Sequence, residues 1–254
     1  MDLRIDIGNS RVKWATLKDG QLGPQQALAR DGWSKADWLQ LLQSSGARVD
    51  RVFVATVAGE RDAQSLQEAV EEGGAAFEFV WSQAEAAGVR NAYSEPAQLG
   101  VDRWLAVVAA SRLVDGPCCI VDIGTAATID ALGPDKRHLG GYIVPGPDLM
   151  GQSLRAGTSE LAERSAREVI SRGRRLADNT KHAIETGCTL AVAALVDRVV
   201  SDVGQITGLT PKLLLTGGGA GAIAPLLLSA AVEIPDLVLR GLAIIVEANE
   251  KRSH

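Results

Sequence analysis

The segment at residues 3–10, LRIDIGNS, decides the fold because it joins an alternating strand to a sharp polar turn. Its apolar residues alternate with charged ones, which is the period of a β-strand. The turn at residues 8–10 follows, and apolar alternation resumes at residues 12–16. Two alternating runs around a short glycine-containing turn predict a β-hairpin at the start of the chain.

The second half of the chain repeats this pattern. The motif DIGNS at residues 6–10 is matched by DIGTA at residues 122–126, and each ends an apolar strand and opens a returning one. Further strands and helices follow both motifs. The simplest interpretation is two domains of one topology that face each other, residues 1–115 and 116–254. The turn cluster DGP at residues 115–117 is the candidate boundary.

Periodicity and turn residues predict the remaining elements. Helices are expected at residues 34–43, 60–72, 99–113, 180–203, 223–231 and 242–250, and strands at residues 51–57, 77–81, 118–123, 127–132, 138–145, 212–215 and 237–239. Strands interleaved with helices predict an α/β fold with mixed sheets flanked by helices.

Composition narrows the class of protein. The chain has 254 residues, 46% of them hydrophobic and 22% charged, which is typical of a globular protein. Its net charge of −5 argues against a nucleic-acid partner. Three cysteines without a C-x-x-C pair, and three scattered histidines, predict neither a disulfide framework nor a zinc site. The start shows no signal-peptide pattern, and the longest apolar stretch, residues 188–196, is too short for a membrane span. We therefore expect a cytoplasmic protein without a membrane partner.

The two DIG turns carry chemistry that suits phosphate. Glycine lets the turn bend and brings backbone N–H groups near a ligand, while Asn9, Ser10 and Thr125 add short donors. Asp6 ends its strand at the same place and can hold Mg²⁺, directly or through water. Lys13 follows in the hairpin and could neutralise phosphate charge. Its alternative is an ordinary surface residue of a strand.

A glycine-rich loop, TGGGA at residues 216–220, lies between a predicted strand and a predicted helix. Gly217 and Gly218 would let a flat or phosphorylated ligand approach closely. The same loop also fits the dinucleotide pattern G-x-G-x-x-A, with Asp236 about where a ribose-binding acid would fall. Too little chain remains downstream to build a dinucleotide fold, so the phosphate interpretation is favoured. No P-loop motif is present.

The motif GVDR at residues 100–103 opens an apolar helix. Asp102 is either a general base or a residue that compensates the helix dipole. Arg103 is either a clamp for an anionic substrate or the solvent-facing neighbour of Asp102. The sequence alone leaves both pairs of interpretations open.

Together these motifs resemble the type III pantothenate kinase family. The motifs that carry the resemblance appear in that family's order: DIGNS at 6–10, GVDR at 100–103, DIGTAATID at 122–130, GGYIVPG at 140–146 and NT at 179–180. The resemblance implies the actin, hexokinase and heat-shock ATPase superfamily. That fold has two ribonuclease-H-like domains with the nucleotide in the cleft between them.

The resemblance also implies roles for single residues. The segment 6–13, with Asp6, Gly8, Asn9, Ser10 and Lys13, matches the family's first phosphate motif, and Thr125 matches an ATP contact. Asp102 matches the proton acceptor. The pantothenate contacts match Tyr93, Gly100, Val101, Asp102, Arg103 and Thr180, of which Tyr93 is matched by its spacing to Gly100 alone. Asp122 matches a ligand of a monovalent cation, K⁺ or NH₄⁺, although it could also accept hydrogen bonds from its own turn.

The implied reaction is the phosphorylation of pantothenate by ATP with Mg²⁺, the first step toward coenzyme A, by a homodimer. Two alternatives stay open: a transcription accessory factor of the same family, and another small-molecule kinase of the superfamily.

Overall fold

A computed structural model describes residues 1–30, 32–44, 48–57, 60–156 and 176–252. Within these ranges the chain packs as two compact units. The first contains Met1–Asp115, Pro134–Gly140 and Asp236–His254, and the second contains Gly116–Gly133 and Gly141–Pro235. No helix in this part of the chain is long and apolar enough to cross a membrane.

The first unit is built on a six-stranded mixed sheet. Its elements in chain order are β1 (Asp2–Ile7), β2 (Arg11–Lys18), β3 (Gln21–Leu22), β4 (Gln26–Ala29), α1 (Lys35–Ser44), β5 (Arg51–Thr56), α2 (Glu60–Glu72), β6 (Ala76–Phe79), the short pair β7 (Glu85–Ala86) and β8 (Val89–Arg90), and α3 (Val101–Leu113). The strand order is β3-β2-β1-β5-β6, with β4 also paired to β2. β1 is antiparallel to β2 and parallel to β5. The predicted first hairpin is therefore confirmed.

The second unit contains a five-stranded mixed sheet. Its elements are β9 (Cys118–Ile123), β10 (Ala126–Leu132), most of β11 (His138–Pro145), α4 (Pro147–Ala156), α5 (Thr180–Thr207), β12 (Lys212–Thr216), α6 (Ala220–Ile223) and β13 (Ala231–Glu233). The last described element, α7 (Leu237–Arg252), belongs to the first unit. The order is β11-β10-β9-β12-β13. β9 is antiparallel to β10 and parallel to β12, so both sheets place a hairpin beside parallel strands. Each DIG motif thus lies in the hairpin of its sheet, and the two sheets share this arrangement of a hairpin beside a parallel strand.

Each sheet buries apolar side chains against helices. In the first unit, Leu3, Ile5 and Ile7 of β1 pack with residues of α1 and α2 such as Trp38 and Leu66. In the second unit, β9, β10 and β12 pack against the apolar face of α5. Each Å² of apolar surface that is buried stabilises the fold by about 25 cal/mol, which makes these cores the main source of stability. The two Asp-x-Gly turns lie at the ends of these buried strands.

The predicted division assigned residues 116–254 to one domain, whereas the terminal helix α7 belongs to the first unit. α7 packs on α3, and a Cβ atom at Gly241 would overlap the backbone carbonyl of Leu105. This close backbone approach requires glycine, and it places Asp236–His254 in the first unit. The contacts also assign Pro134–Gly140 to the first unit.

Two predicted elements near the end of the chain are wrong. The helix expected at residues 223–231 is only α6 and a 3₁₀ turn at Ala224–Leu226, followed by β13. Pro225 lacks a backbone donor and cannot continue an α-helix. The strand expected at residues 237–239 is the first turn of α7. Its buried residues continue at Leu242, Ile245 and Val246, with the spacing of a helix face.

Candidate active site

The first predicted phosphate turn lies between β1 and β2. Asp6 is only 6% exposed at the end of β1 and faces Lys13 across the hairpin. The backbone N–H of Gly8 donates to the carbonyl of Arg11 over 3.0 Å and closes the turn. Asn9 and Ser10 are exposed at its tip. The predicted residues of this motif are therefore brought together, with a carboxylate at the base and exposed polar groups above it.

Arg30 contacts this turn and was missed by sequence reasoning. Its guanidinium Nη1 donates to the carbonyl of Gly8 over 3.1 Å, and its backbone N–H donates to the carbonyl of Ser10 over 2.9 Å. Its Nη2 lies 3.1 Å from a carboxylate oxygen of Asp62. Arg30 follows β4, which pairs with β2 and so brings a residue distant in sequence to the turn.

The second turn lies between β9 and β10 in the other unit. Asp122 is half-buried at the end of β9, and Thr125 is exposed. The N–H of Gly124 donates to the carbonyl of Ala126 over 2.9 Å, as Gly8 does in the first turn. The N–H of Gly146 donates to the carbonyl of Thr125 over 2.9 Å and fixes the outer side of the turn.

The glycine-rich loop packs directly on the end of β9. Gly217 has a φ of +89°, and a Cβ atom there would overlap the carboxylate of Asp122 and the carbonyl of Ile123. The N–H of Gly219 donates to the same Ile123 carbonyl over 2.9 Å. Gly218 is exposed, with open space where a side chain would project. The loop thus lies beside Asp122, and glycine is required at 217 by the backbone of β9.

The dinucleotide alternative finds little support in this loop. The helix that follows it, α6, has four residues, so it offers no extended helix N-terminus for a pyrophosphate. Asp236 forms an ion pair with Arg240, one turn later on α7, at 2.8 Å.

Most of the predicted acceptor-site residues meet at the start of α3. Arg103 is 5% exposed, and its Nη1 donates to the hydroxyl of Tyr93 over 3.1 Å. Val101 is buried beside it in the first turn of the helix. Since Tyr93 was predicted only by its spacing to Gly100, the contact is independent evidence that the two segments form one cluster. Arg103 is not the solvent-facing neighbour that one interpretation of the motif allowed.

Asp102 folds back over the beginning of α3. Its Oδ1 accepts the backbone N–H of Arg103 over 2.7 Å. A Cβ atom at Gly100 would come within 2.7 Å of the same oxygen, so the glycine makes room for the carboxylate. This contact gives Asp102 a role in the first helical turn, and its half-buried position leaves it partly accessible.

His138 adds an aromatic contact that the motif analysis did not include. Its ring lies parallel to that of Tyr93, with an angle of 15° and 6.1 Å between centroids. His138 is fully buried at the start of β11. Its place next to the GGYIVPG motif is the one signal in the sequence that could have indicated it.

Thr180 belongs to the second unit. It is the first residue of α5, where the side chain of Asn179 accepts the N–H of His182 over 2.9 Å and caps the helix. Thr180 itself is exposed.

Among the described residues, no group of three or more histidine, cysteine, aspartate or glutamate side chains could hold a metal ion. A cation site built from the described residues would therefore use at most two such side chains, together with other oxygens such as backbone carbonyls or phosphate.

Comparison with solved structures defines the fold. A conserved putative Baf family transcriptional activator from Campylobacter jejuni aligns over 98% of this chain and 99% of its own, with a TM-score of 0.62 and 21% identity. A putative 2-dehydro-3-deoxygalactonokinase from Sinorhizobium meliloti aligns over 98% and 99%, with a TM-score of 0.59 and 13% identity. Identities this low show the fold alone, which is that of the actin-like ATPases and sugar kinases. The predicted fold class is confirmed.

Sequence comparison then gives the family. A profile of type III pantothenate kinase matches residues 2–202. A type III pantothenate kinase from Nitrosococcus oceani is 38% identical over 257 residues, covering 99% of this chain and 96% of its own. The chain belongs to the type III pantothenate kinase family. The resemblance inferred from the motifs is thereby confirmed, and with it the prediction of an ATP-dependent kinase.

Proposed function

We propose that this chain transfers the γ-phosphoryl group of ATP to the hydroxyl of pantothenate and forms 4′-phosphopantothenate, the first step of coenzyme A biosynthesis. The observation that carries the proposal is the cluster at the start of α3, in which Arg103 is buried and Tyr93 and Asp102 are half-buried. It combines an anion-binding group with a carboxylate that could accept a proton. Membership of the family supports the same substrate.

Arg103 would bind the carboxylate of pantothenate. Its guanidinium is withdrawn from bulk water, where hydrogen bonds to an anion are stronger than at an exposed surface. The hydrogen bond to the hydroxyl of Tyr93 helps to fix the orientation of this guanidinium. Gly100 and Val101 shape the approach to the helix. Thr180 is proposed as a further pantothenate contact, from the family motif.

Asp102 would act as the general base. In the proposed step the substrate O–H bond breaks and its proton passes to Asp102, while the freed oxygen forms a bond to the γ-phosphorus. The bond from the γ-phosphorus to the bridging oxygen breaks, and ADP leaves with that electron pair. Phosphoryl transfer depends mainly on positioning and charge neutralisation, so one well-placed base is enough protein chemistry.

The two DIG turns would bind the ATP phosphates. Asn9 and Ser10 expose polar groups on the first turn, with Gly8 giving it its shape, and Thr125 does so on the second. Lys13 lies opposite Asp6 on the neighbouring strand, where its charge would offset that of phosphate. Gly218 offers an exposed backbone without a side chain, and Gly217 holds this loop against β9.

The donor atoms present fit the two cations expected with this reaction. Asp6 would hold Mg²⁺, since a carboxylate at the base of a phosphate turn is the ligand that a hard cation prefers. Asp122 would hold K⁺ or NH₄⁺, and the carbonyl of Ile123 lies beside its carboxylate. These ions would neutralise phosphate charge, and the side chains named above would position the reactants.

We further propose a cytoplasmic homodimer. The family resemblance suggests it, and Tyr142 and Ile143 on β11 expose 56% and 60% of their surfaces, which a second copy could cover. Sedimentation of the purified protein at several concentrations would test the dimer.

The function itself is tested by measuring ADP release with pantothenate, acetate and a panel of hexoses, each with and without K⁺. We expect turnover with pantothenate alone, and mass spectrometry should identify 4′-phosphopantothenate as the product. Turnover on acetate or hexoses with none on pantothenate would assign the chain to another kinase of the superfamily. Absence of turnover on every substrate would favour the accessory-factor alternative.

A further inference from the structure

Arg30 makes three contacts, two of them with the predicted phosphate turn at residues 8–10. Its Nη1 donates to the carbonyl of Gly8, its backbone N–H donates to the carbonyl of Ser10, and its Nη2 pairs with Asp62. The side chains of Arg30 and Asp62 are 18% and 16% exposed, so this ion pair is mostly shielded from water. Arg30 lies outside every motif that identified the chain.

We propose that Arg30, held by Asp62, is a positioning residue for ATP that fixes the turn at residues 8–10 in the shape that receives phosphate. The proposal rests on the proposed function, because it takes that turn as a phosphate site. It adds two residues, Arg30 and Asp62, that act on ATP through the backbone of the turn.

The physical reason lies in the direction of the carbonyl groups. A turn that binds phosphate must present N–H donors to the ligand, since a carbonyl oxygen facing phosphate oxygens would repel them. Arg30 donates hydrogen bonds to two carbonyls of the turn, those of Gly8 and Ser10, and so keeps both engaged within the protein. A glycine-containing turn has more backbone freedom than other segments, so an external constraint is needed to keep one shape.

Asp62 supplies the other half of the constraint. It lies in the first turn of α2, a helix packed in the core of the first unit, and its carboxylate is 3.1 Å from Nη2 of Arg30. The planar guanidinium can reach Asp62 and Gly8 with two different nitrogens at once. A lysine ammonium has one nitrogen and could not hold both partners in the same geometry. The arrangement therefore requires arginine rather than a positive charge in general.

A different role for Arg30 would be direct attraction between its charge and the phosphates. The two roles give opposite predictions for Asp62→Asn. Loss of the Asp62 charge would leave Arg30 more positive in its surroundings and would tighten ATP binding if charge were the main effect. If Arg30 acts by position, the same change releases the guanidinium and weakens ATP binding.

The test uses Arg30→Lys, Arg30→Gln, Asp62→Asn and the double variant Arg30→Gln/Asp62→Asn in the full chain. The matched control is Arg198→Gln, which breaks another arginine–aspartate pair, Arg198–Asp202 on α5, at 2.8 Å. For each protein, the KM for ATP, the KM for pantothenate, the Kd for Mg-ADP by calorimetry and the melting temperature are measured.

We expect Arg30→Lys and Asp62→Asn to raise the KM for ATP and the Kd for Mg-ADP about tenfold, as loss of one hydrogen bond to a charged donor does. The KM for pantothenate should change less than about twofold, within the error of such differences. The double variant should bind Mg-ADP no more weakly than Arg30→Gln, because the two residues act as one unit. Arg198→Gln should behave as wild type.

Tighter binding in Asp62→Asn, or wild-type nucleotide binding in Arg30→Lys, would overturn the proposal in favour of charge. Equal losses for ATP and pantothenate, together with a lowered melting temperature, would overturn it in favour of a purely structural pair.

An Asp6→Asn variant separates these results from failure of the proposed function. If Asp6→Asn binds Mg-ADP as wild type does, the turn is not the phosphate site. If Asp6→Asn weakens binding while the Arg30 and Asp62 variants do not, the proposal about Arg30 alone fails.

Discussion

The guanidinium of Arg103 donates a hydrogen bond to the hydroxyl of Tyr93 over 3.1 Å, although the two residues lie on different segments of the first unit. Arg103 also lies over the face of the Tyr93 ring, with 5.9 Å from its central carbon to the ring centroid. Because the guanidinium is a rigid planar group, a hydrogen bond from one of its nitrogens restricts the direction of the whole group. The contact therefore links the orientation of Arg103 to one phenol oxygen.

Tyr93→Phe tests this link. The ring and its packing on His138 remain, and the hydrogen bond that orients Arg103 is lost. We expect the KM for pantothenate to rise about tenfold, since a hydrogen bond to a charged group contributes about 1.5–3 kcal/mol. The KM for ATP should stay near its wild-type value. Steady-state kinetics with each substrate varied would measure both. A lower melting temperature with an unchanged KM for pantothenate would show that the pair is structural only.

The matched variants Gly217→Ala and Gly218→Ala test the glycine-rich loop. Gly217 has a positive φ and no room for a Cβ atom, whereas Gly218 has open space around it. A left-handed backbone costs a non-glycine residue about 1–2 kcal/mol before any steric overlap is counted. We expect Gly217→Ala to melt at least about 4 °C lower, at roughly 2–4 °C per kcal/mol for a chain of this size. Gly218→Ala should melt with the wild type, and equal melting temperatures in both variants would contradict this account.

Much of the fold could be predicted because its signals are local. Both hairpins follow from apolar alternation around a glycine turn, and the positions of Asp6 and Asp122 follow from the strand ends. The strand wrongly expected at residues 237–239 shows the limit of a short window. Three consecutive apolar residues fit a strand or a buried helix, and only the later apolar residues of α7 distinguish them.

The contacts of Arg30 could not be predicted in the same way. They depend on the pairing of β4 with the edge of β2, and this pairing brings a residue about 20 positions away back to the turn. β4 is an exposed four-residue strand with little apolar alternation, so its sequence gives a weak signal. The Asp122–Gly217 contact is similar, since it needs β12 to pair in parallel with β9. Motif residues could be predicted, and the residues that hold motifs in place could not.

The cysteines give a prediction about pH. Burial raises the pKa of the Cys118 and Cys119 thiols to about 12, and burial also raises the pKa of Cys188. At pH 8 almost none of the Cys118 and Cys119 thiols is ionised, so iodoacetamide should leave these two unmodified in the folded protein and alkylate all three cysteines after denaturation. Peptide mass spectrometry would report the sites. Rapid labelling of Cys118 or Cys119 in the native protein would contradict their burial.

The same shift affects stability in alkaline solution. The folded state holds the thiol protons of Cys118 and Cys119 more tightly than the unfolded chain does. The stability that these two thiols contribute is therefore fully present below the unfolded pKa of about 9, and it is lost as pH rises from about 9 to 12. Replacing Cys118 and Cys119 with alanine or valine, which do not titrate, should flatten this part of the pH–stability curve.

The position of Asp122 leads us to expect that turnover depends on a monovalent cation. A carboxylate at the end of an apolar strand is costly unless a cation or hydrogen-bond donors compensate it. We expect K⁺ and NH₄⁺ to activate turnover and Na⁺ to be poor, and Asp122→Asn to lose most of the difference between these salts. Rates at constant ionic strength in each salt would measure this. Equal rates in K⁺ and in a bulky organic cation would show that Asp122 only accepts hydrogen bonds within its own turn.

Asp102→Asn separates the proposed catalytic role of Asp102 from its structural role in the first turn of α3. The amide oxygen of asparagine can still accept the N–H of Arg103, the contact that Oδ1 of Asp102 makes at 2.7 Å, and the side chain still fits over Gly100. The fold should therefore persist, while the basicity and the charge are lost.

The size of the effect decides between the two roles. A positioned general base contributes about 10²- to 10⁴-fold in rate, or roughly 3–5 kcal/mol of barrier. Loss of the helix-dipole interaction alone costs only about 0.3–1 kcal/mol of stability and leaves the rate nearly intact. We expect a folded variant that binds pantothenate and turns over at least about a hundredfold more slowly. Thermal melts, a pantothenate titration and the rate on one preparation would measure all three. A variant that keeps more than about a tenth of the wild-type rate would fall outside the general-base range, and Asp102 would then be a structural residue of α3.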